Sequence, residues 1–138
     1  MYEKPFALRI VAPRGVVFEG EATSVSAPGT LGSFQVLFNH APLLSSLEIG
    51  PLNVKDPGGV DTVYATGGGF LEVNNNRVVV LVESAERPED IDVARARAAR
   101  ARAEERLKSH DPLFDVRRAE LALARALNRL TLASRHQA

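Results

Sequence analysis

The sequence contains no cysteine, and it has no glycine after residue 69. Without cysteine the chain can form neither a disulfide scaffold nor a zinc site with thiolate ligands, which fits a reducing compartment. Its three histidines, His40, His110 and His136, lie far apart and lack the spacing of metal ligands. We therefore expect no metal site.

A long uncharged apolar run is also missing from the start of the chain. Glu3, Lys4 and Arg9 interrupt that segment, so it predicts neither a secretory signal nor a membrane span. We expect the chain to stay in the compartment where it is made. Its 138 residues, 45% of them hydrophobic, allow one compact core with an appendage but not a second full domain.

The two signs of charge are unevenly distributed along the chain. Residues 1–91 contain six Lys/Arg against eleven Asp/Glu, whereas residues 92–138 contain eleven against six. This asymmetry indicates separate partners for the two parts, with an acidic partner for the C-terminal part. A nucleic acid, an anionic lipid, a nucleotide and an acidic protein surface would each fit.

Up to residue 86, turn-forming residues recur about every ten residues between short apolar stretches such as FALRIV and RVVVLV. This pattern predicts an antiparallel β sandwich or barrel. Alternation places Phe6, Leu8 and Ile10 on one face of the first strand. The run 78–82 contains no polar residue, so we expect that strand to be covered on both faces. The preceding NNN predicts a hairpin turn with left-handed backbone.

After Pro88 the composition changes to Ala, Arg, Leu and Glu, which favour helix. Asp92 is the predicted N-cap of a first helix that ends near residue 108. The sequence SHDP then interrupts the helix. Asp111 is expected to cap a second helix, with Pro112 at its first position. Two helices with a short link predict an antiparallel hairpin.

Helical spacing predicts which residues of the hairpin share a face. The apolar face of the second helix comprises Val116, Ala119, Leu123, Leu127 and Leu130. A small-residue seam on the first helix comprises Ala96, Ala99, Ala103 and Leu107. Because alanine buries little area, at roughly 25 cal/mol per Å², this seam should hold the helices only weakly. Alanine is also the strongest helix former, so we expect the hairpin to open without melting.

Three other features favour structural roles. The sequence ATGGGF at 65–70 lacks the Lys-Ser/Thr ending of a phosphate loop and precedes no helix, so it predicts a bulge or a crowded sheet corner. His40 has no assigned Ser, Cys or carboxylate partner, and we interpret it as a hydrogen-bonded loop or contact residue, not a general base. Phe114 is the only aromatic residue after residue 70, which provides no stacking platform for nucleic acid. No catalytic residue is predicted.

The arginines of the hairpin permit two interpretations. They can form a solvated face whose Glu and Asp partners lie at helical spacing. Alternatively, Arg95 and Arg102 of the first helix can face Arg125 and Arg129 of the second, where guanidinium groups would converge on an anion such as triphosphate. Spacing alone does not decide between them.

Three segments, in order, carry a resemblance to a known family: VAPRGVVFEGEATSVSAPGTLGSFQVLFNHAPLLSSLEIGPL, then ATGGGFLEVNNNRVVVLVESAE, then IDVARARAARARAEERL. Nearly end to end, the sequence resembles the epsilon subunit of the rotary F-type ATP synthase, of the bacterial type. It departs from that family at Phe38, where proline is common. The resemblance implies a β sandwich over residues 1–88 followed by an α-helical hairpin over residues 89–138.

The resemblance also implies partners. The sandwich would sit at the foot of the central stalk, bound to the gamma subunit and to the membrane rotor ring of c subunits. The rotor-facing loop would be 28–33, with contacts at Gly29, Gly32 and Ser33, and the gamma-facing surface would include His40, Ala41 and Pro42. The hairpin would either fold down or extend along gamma. When extended, it would reach the catalytic beta and alpha subunits and block ATP hydrolysis, with Arg117, Arg118, Arg125 and Arg129 near acidic beta segments.

Some bacterial relatives bind ATP in the folded hairpin, and the resemblance carries that site onto this chain. Its residues would be Glu86, Ile91, Asp92, Arg95, Ala96, Arg102, Arg125 and Arg129. ATP would be a regulatory ligand, and no cofactor would be required. The protein would be peripheral at the cytoplasmic face of the bacterial plasma membrane, without inserting into the membrane.

Two alternatives remain open at this stage. The chain could be a free-standing nucleotide-sensing module that needs no partner complex, or an enzyme that uses His40 with a carboxylate. Co-purification with gamma separates a rotor subunit from both alternatives.

Overall fold

The computed structural model describes residues 3–137. The chain divides between Arg87 and Pro88 into two compact units. The first unit consists of strands and the second of helices.

Within residues 3–87, eight strands form one hydrogen-bonded sheet in the order β2-β1-β7-β6-β5-β3-β4, with β8 paired to β6. Their bounds are β1 Phe6–Ala12, β2 Gly15–Ala22, β3 Ser24–Gly29, β4 Gly32–Val36, β5 Leu43–Lys55, β6 Asp61–Asn74, β7 Arg77–Val82 and β8 Ala85–Glu86.

The sheet closes over a single apolar core. Leu8 and Ile10 of β1 belong to the same buried cluster as Val25 of β3 and Val36 of β4, although these strands lie towards opposite ends of the hydrogen-bonded order. A flat sheet cannot bring its two ends together in this way, so the sheet folds over into the predicted β sandwich. Phe6, Leu8 and Ile10 share the core face of β1, as alternation predicts.

Two strand predictions need correction. The pair β1 and β7 is parallel, with Leu8 opposite Val78, so the sandwich is not wholly antiparallel. The run 78–82 is covered on one face only, since Val78 and Val80 lie in the core while Leu81 is 51% exposed. Branched apolar residues favour extended backbone wherever the strand lies, and a run of them does not report two buried faces.

The asparagine turn and the triglycine corner have the structures that the sequence predicts. Asn75 and Asn76 connect β6 to β7 with φ of 50° and 58°, the left-handed geometry of a two-residue hairpin turn. The triglycine lies inside β6, where that strand leaves β7 and pairs with β8. A side chain at Gly69, whose φ is +156°, would overlap the carbonyl oxygen of Leu81. The crowded sheet corner is therefore confirmed.

The second unit contains a 3-10 turn at Pro88–Asp90 and two helices, α1 at Val93–Ser109 and α2 at Val116–Gln137. Contacts at both ends show that the helices are antiparallel. The Arg106 guanidinium lies 5.8 Å from the Phe114 ring centroid at the link, and His136 Nε2 lies 3.9 Å from Glu89 Oε2 at the other end. The predicted helical hairpin is confirmed.

Candidate functional site

The helix N-termini are fixed by aspartates. Asp92 caps α1, its Oδ1 accepting from the Arg95 main-chain N–H at 3.0 Å, as predicted. The prediction for α2 is wrong, because the carboxylate that accepts from its first turn belongs to Asp115, 3.2 Å from the Arg118 nitrogen. Asp111 instead accepts from the Leu113 N–H at 2.9 Å, within the link. Asp111 and Asp115 each precede residues that can begin a helix, so the local sequence does not show which of the two is the N-cap of α2.

The helices meet through a seam of alanines. Five are at most 4% exposed, and within each helix they recur every seventh residue: Ala96 and Ala103 on α1, Ala119, Ala126 and Ala133 on α2. The seam predicted for α1 is confirmed at Ala96 and Ala103, while Ala99 and Leu107 are half-buried. The face predicted for α2 is confirmed at Ala119 but wrong at Val116 and Leu127, which are 57% and 39% exposed. The larger side chains lie beside the seam because alanine in the centre allows closer approach of the helix axes.

The seam defines where the arginines point. Arg95 and Arg102 each stand one residue before a buried alanine of α1, and Arg118 and Arg125 stand one residue before a buried alanine of α2. One residue corresponds to about 100° around a helix axis. Each arginine is therefore rotated by that angle from the seam, towards the preceding residue of its own helix. In an antiparallel pair, equal rotations on the two helices lead to the same side of the hairpin. Arg129, three residues after Ala126, borders that side. We call this set, Arg95, Arg102, Arg118, Arg125 and Arg129, the arginine side.

The distance of each arginine from the link, measured along its helix, determines which arginines lie at the same level. With about 1.5 Å of rise per residue, Arg95 and Arg129 both lie roughly 20 Å from the link. Arg102 and Arg125 lie roughly 10 and 14 Å from it, within one helical turn of each other in height. Rise along the helices therefore places Arg95 level with Arg129 and Arg102 near the level of Arg125, and the convergence of their guanidinium groups stays a prediction.

Two ion pairs between arginine and glutamate lie on other faces of the helices, away from the arginine side. Arg100 Nε donates to Glu104 Oε1 at 2.7 Å, and this bond lowers the pKa of Glu104 below its ordinary value. Arg117 lies 4.0 Å from Glu120. Within residues 3–137, Arg95, Arg102 and Arg125 have no ion pair. The solvated-face interpretation thus fits Arg100 and Arg117, and the arginine side retains cations that an anion can meet.

The remaining residues of the predicted nucleotide site have different environments. Ile91 and Ala96 are 8% and 2% exposed and contribute apolar packing. Asp92 is exposed, and its second carboxylate oxygen has no hydrogen bond within the described part of the chain. Glu86 lies in β8, in the first unit, whereas the other seven residues lie in the second. Leu132, 3% exposed, was not singled out from the sequence because it lies outside the predicted apolar face.

The predicted rotor-facing loop is a tight turn between β3 and β4. Gly32 has a φ of +132°, and a Cβ on Gly29 would lie 2.6 Å from the Gly32 carbonyl oxygen, so both positions require glycine. Thr30 Oγ1 lies 2.6 Å from Ser46 Oγ, which fixes the turn to β5. Leu31, at the tip of the turn, is fully exposed.

The predicted gamma-facing loop connects β4 to β5. His40 Nδ1 lies 2.7 Å from the Ala41 carbonyl oxygen, which can only accept, so the proton resides on Nδ1. His40 is thus a hydrogen-bonded loop histidine, as predicted. Ala41 and Pro42 are exposed. Phe38, the departure from the family pattern, places its ring 5.4 Å from the Lys4 ammonium.

Across the described residues, no helix is long and apolar enough to cross a membrane. The same part of the chain contains no group of three or more His, Asp or Glu side chains placed to hold a metal ion.

Comparison with known proteins identifies the family. Residues 5–88 match the beta-sandwich domain of the ATP synthase delta/epsilon chain, and residues 89–134 match its long alpha-helix domain. The chain therefore belongs to the ATP synthase delta/epsilon family, among the epsilon chains.

Two relatives show the extent of the similarity. The chain is 49% identical over 126 residues to the ATP synthase epsilon chain of Desulforamulus reducens, covering 91% of this chain and 95% of the relative. It is 44% identical over 129 residues to that of Halalkalibacterium halodurans, covering 93% and 96%.

Solved structures share the fold. A chain in the Euglena gracilis mitochondrial ATP synthase, in a structure of OSCP, F1 and the c-ring, aligns with a TM-score of 0.82 and 23% identity, covering 96% of this chain and 82% of that one. A chain from the central stalk and c-ring of the Tetrahymena thermophila enzyme aligns with a TM-score of 0.56 and 14% identity, covering both chains fully.

Proposed function

We propose that this chain is a non-catalytic rotor subunit of an F-type ATP synthase whose hairpin regulates ATP hydrolysis. The sandwich would bind the gamma subunit through the loop at His40, Ala41 and Pro42, and the c ring through the turn at Gly29, Gly32 and Ser33. The subunit would lie peripherally at the cytoplasmic face of a bacterial plasma membrane. Membership of the epsilon chains supports this assignment.

The observation that carries the regulatory role is the alanine seam. Five buried alanines contribute about 4 kcal/mol to closure, at roughly 0.8 kcal/mol per methyl group, and this is an upper value. Five leucines would contribute about twice as much or more. The seam therefore holds the helices in register while leaving closure weak enough to be reversed.

ATP is the ligand we propose for the closed hairpin. The arginine side supplies forked donors for phosphate oxygens, and Asp92 supplies a free carboxylate oxygen for the base end of the nucleotide. A ligand present at a hundred times its dissociation constant stabilises its bound state by about 2.7 kcal/mol. A shift of this size raises the ratio of closed to extended hairpins about a hundredfold, so ATP that binds only the closed form would strongly favour it.

The inhibitory role is tested by deleting residues 89–138 in the assembled complex. We expect ATP hydrolysis to rise while ATP synthesis is largely retained, because the deleted hairpin is the element that extends towards the alpha and beta subunits. Hydrolysis that stays unchanged, with other modes of inhibition relieved, would show that this hairpin does not inhibit.

A free-standing nucleotide sensor is the second candidate, since the arginine side lies within the helical unit alone. Co-purification distinguishes the two functions. A rotor subunit is recovered with gamma at equal stoichiometry, whereas a free-standing sensor is recovered alone and still binds ATP.

A further inference from the structure

Two asparagines far apart in sequence are joined by a reciprocal pair of hydrogen bonds at one end of the sandwich. The Asn39 main-chain N–H donates to Asn76 Oδ1 at 2.6 Å, and Asn76 Nδ2 donates to Asn39 Oδ1 at 2.9 Å. Both residues have left-handed backbone, with φ of 63° and 58°. Asn76 is itself anchored, because its carbonyl oxygen accepts from the Ala7 N–H of β1 at 3.0 Å.

The pair holds the loop between β4 and β5 at its centre. Leu37 and His40 close a turn around Asn39, the His40 N–H donating to the Leu37 carbonyl oxygen at 3.2 Å. On one side of Asn39, the Phe38 ring lies against the Lys4 ammonium. On the other side, the His40 ring donates to the Ala41 carbonyl oxygen. The loop is thus fixed to two other segments of the sandwich, at Asn76 and at Lys4.

The hydrogen bonds between Asn39 and Asn76 affect how readily the adjoining loop can bind a partner. Ala41 and Pro42 are exposed and follow directly after the anchored turn. A partner that binds a mobile loop must pay for ordering it, whereas a loop held in its bound conformation avoids that loss of affinity. We propose that Asn76 is a positioning residue, which acts through Asn39 to hold the His40–Ala41–Pro42 segment in the conformation that the gamma subunit binds. This inference rests on the proposed contact between that segment and gamma.

The test uses the full chain and compares substitutions in one turn. Asn76→Gly retains the left-handed backbone and the main-chain bond to Ala7 but removes both side-chain bonds. Asn75→Gly is the matched control, because Asn75 occupies the same turn with a φ of 50° and does not bond to Asn39. We expect Asn76→Gly to weaken gamma binding about tenfold and to speed amide hydrogen exchange at residues 38–41, with Asn75→Gly resembling the unaltered chain. Asn76→Asp keeps the acceptor for the Asn39 N–H and should restore part of the affinity.

His40→Ala separates failure of the inference from failure of the proposed contact. If His40→Ala weakens gamma binding while Asn76→Gly binds like Asn75→Gly, the positioning role is overturned and the contact stands. If exchange at residues 38–41 does not change in Asn76→Gly, the anchor does not order the loop and the inference is likewise overturned. If His40→Ala binds gamma normally, the contact is wrong and the inference falls with it.

Discussion

The Asp92 carboxylate accepts a hydrogen bond from the Arg95 main-chain N–H at 3.0 Å, which joins two residues of the proposed nucleotide motif through the cap of α1. One oxygen of Asp92 is thus committed to the helix, and the other is left for a ligand. The beginning of the helix depends on this side chain, and the proposed nucleotide site would depend on it as well.

Asp92→Asn should separate these two roles. Asparagine caps a helix about as well as aspartate, so helix content should be retained. Loss of the carboxylate should weaken ATP binding about tenfold, because a charge-assisted hydrogen bond is replaced by a weaker one. Circular dichroism and nucleotide titration measure the two effects. Asp115→Asn, which alters the corresponding residue of α2, is the control and should bind ATP normally. Unchanged ATP affinity in Asp92→Asn would remove Asp92 from the site.

Ala126→Leu should open the hairpin. Ala126 is 1% exposed in the seam, and extra methyl groups there force the helices apart at a cost of about 1–3 kcal/mol. We expect helix content to remain while contacts between α1 and α2 are lost from NMR spectra. Ala124→Leu places the same side chain at an exposed position of α2 and should leave the hairpin closed. Retention of the interhelix contacts in Ala126→Leu would show that the seam tolerates larger residues and is not the weak point.

Gly69→Ala should destabilise the sandwich severely. The new methyl group would overlap the Leu81 carbonyl oxygen, and the left-handed backbone adds strain. We expect a loss of more than about 3 kcal/mol in the free energy of unfolding. Gly59→Ala has positive φ but open space around it, and should lose only about 1–2 kcal/mol. If chemical denaturation gives the two variants equal losses in the free energy of unfolding, the backbone around Gly69 can relax to accept a methyl group.

A fragment of residues 1–88 should fold by itself and bind gamma. Among the described residues, the buried side chains of the sandwich core come from strands β1 to β7, and Ala85 of β8 packs against them. We expect a cooperative thermal transition, followed by calorimetry, and gamma binding equal to that of the full chain. A fragment that lacks either property would mean that the helical unit supports the sandwich.

Much of this architecture follows from local chemistry. Asp92 caps α1, and Asn75 and Asn76 form the hairpin turn, because each is determined by residues close in sequence. The triglycine predicts a sheet corner, but the reason that Gly69 must be glycine, the Leu81 carbonyl oxygen, lies on the neighbouring strand. The parallel pairing of β1 with β7 could not be predicted, since alternation identifies the buried face of a strand but not its neighbour.

The helical hairpin also has some features that local sequence predicts and others that depend on packing between the helices. The extent of α1 and the burial of Ala96 and Ala103 follow from local sequence, whereas α2 begins four residues later than predicted. The apolar face predicted for α2 is right at Ala119 but wrong at Val116 and Leu127, because close approach of the two helices favours alanine, as at Ala126, over the larger side chains. The side of the hairpin on which the arginines lie depends on that seam, so it follows only from the packing of both helices and not from their spacing in the sequence.

The most direct test of the account is titration of the isolated full chain with ATP, followed by thermal midpoint and by NMR of the hairpin. ATP should raise the midpoint and shift the hairpin signals. Arg102→Ala and Arg125→Ala should each weaken binding about tenfold or more, since a charge-assisted contact is lost. Arg97→Ala and Arg117→Ala, which lie off the arginine side, should respond like the unaltered chain. If millimolar ATP changes neither the midpoint nor the hairpin signals, the arginine side does not hold nucleotide and ATP does not control the hairpin.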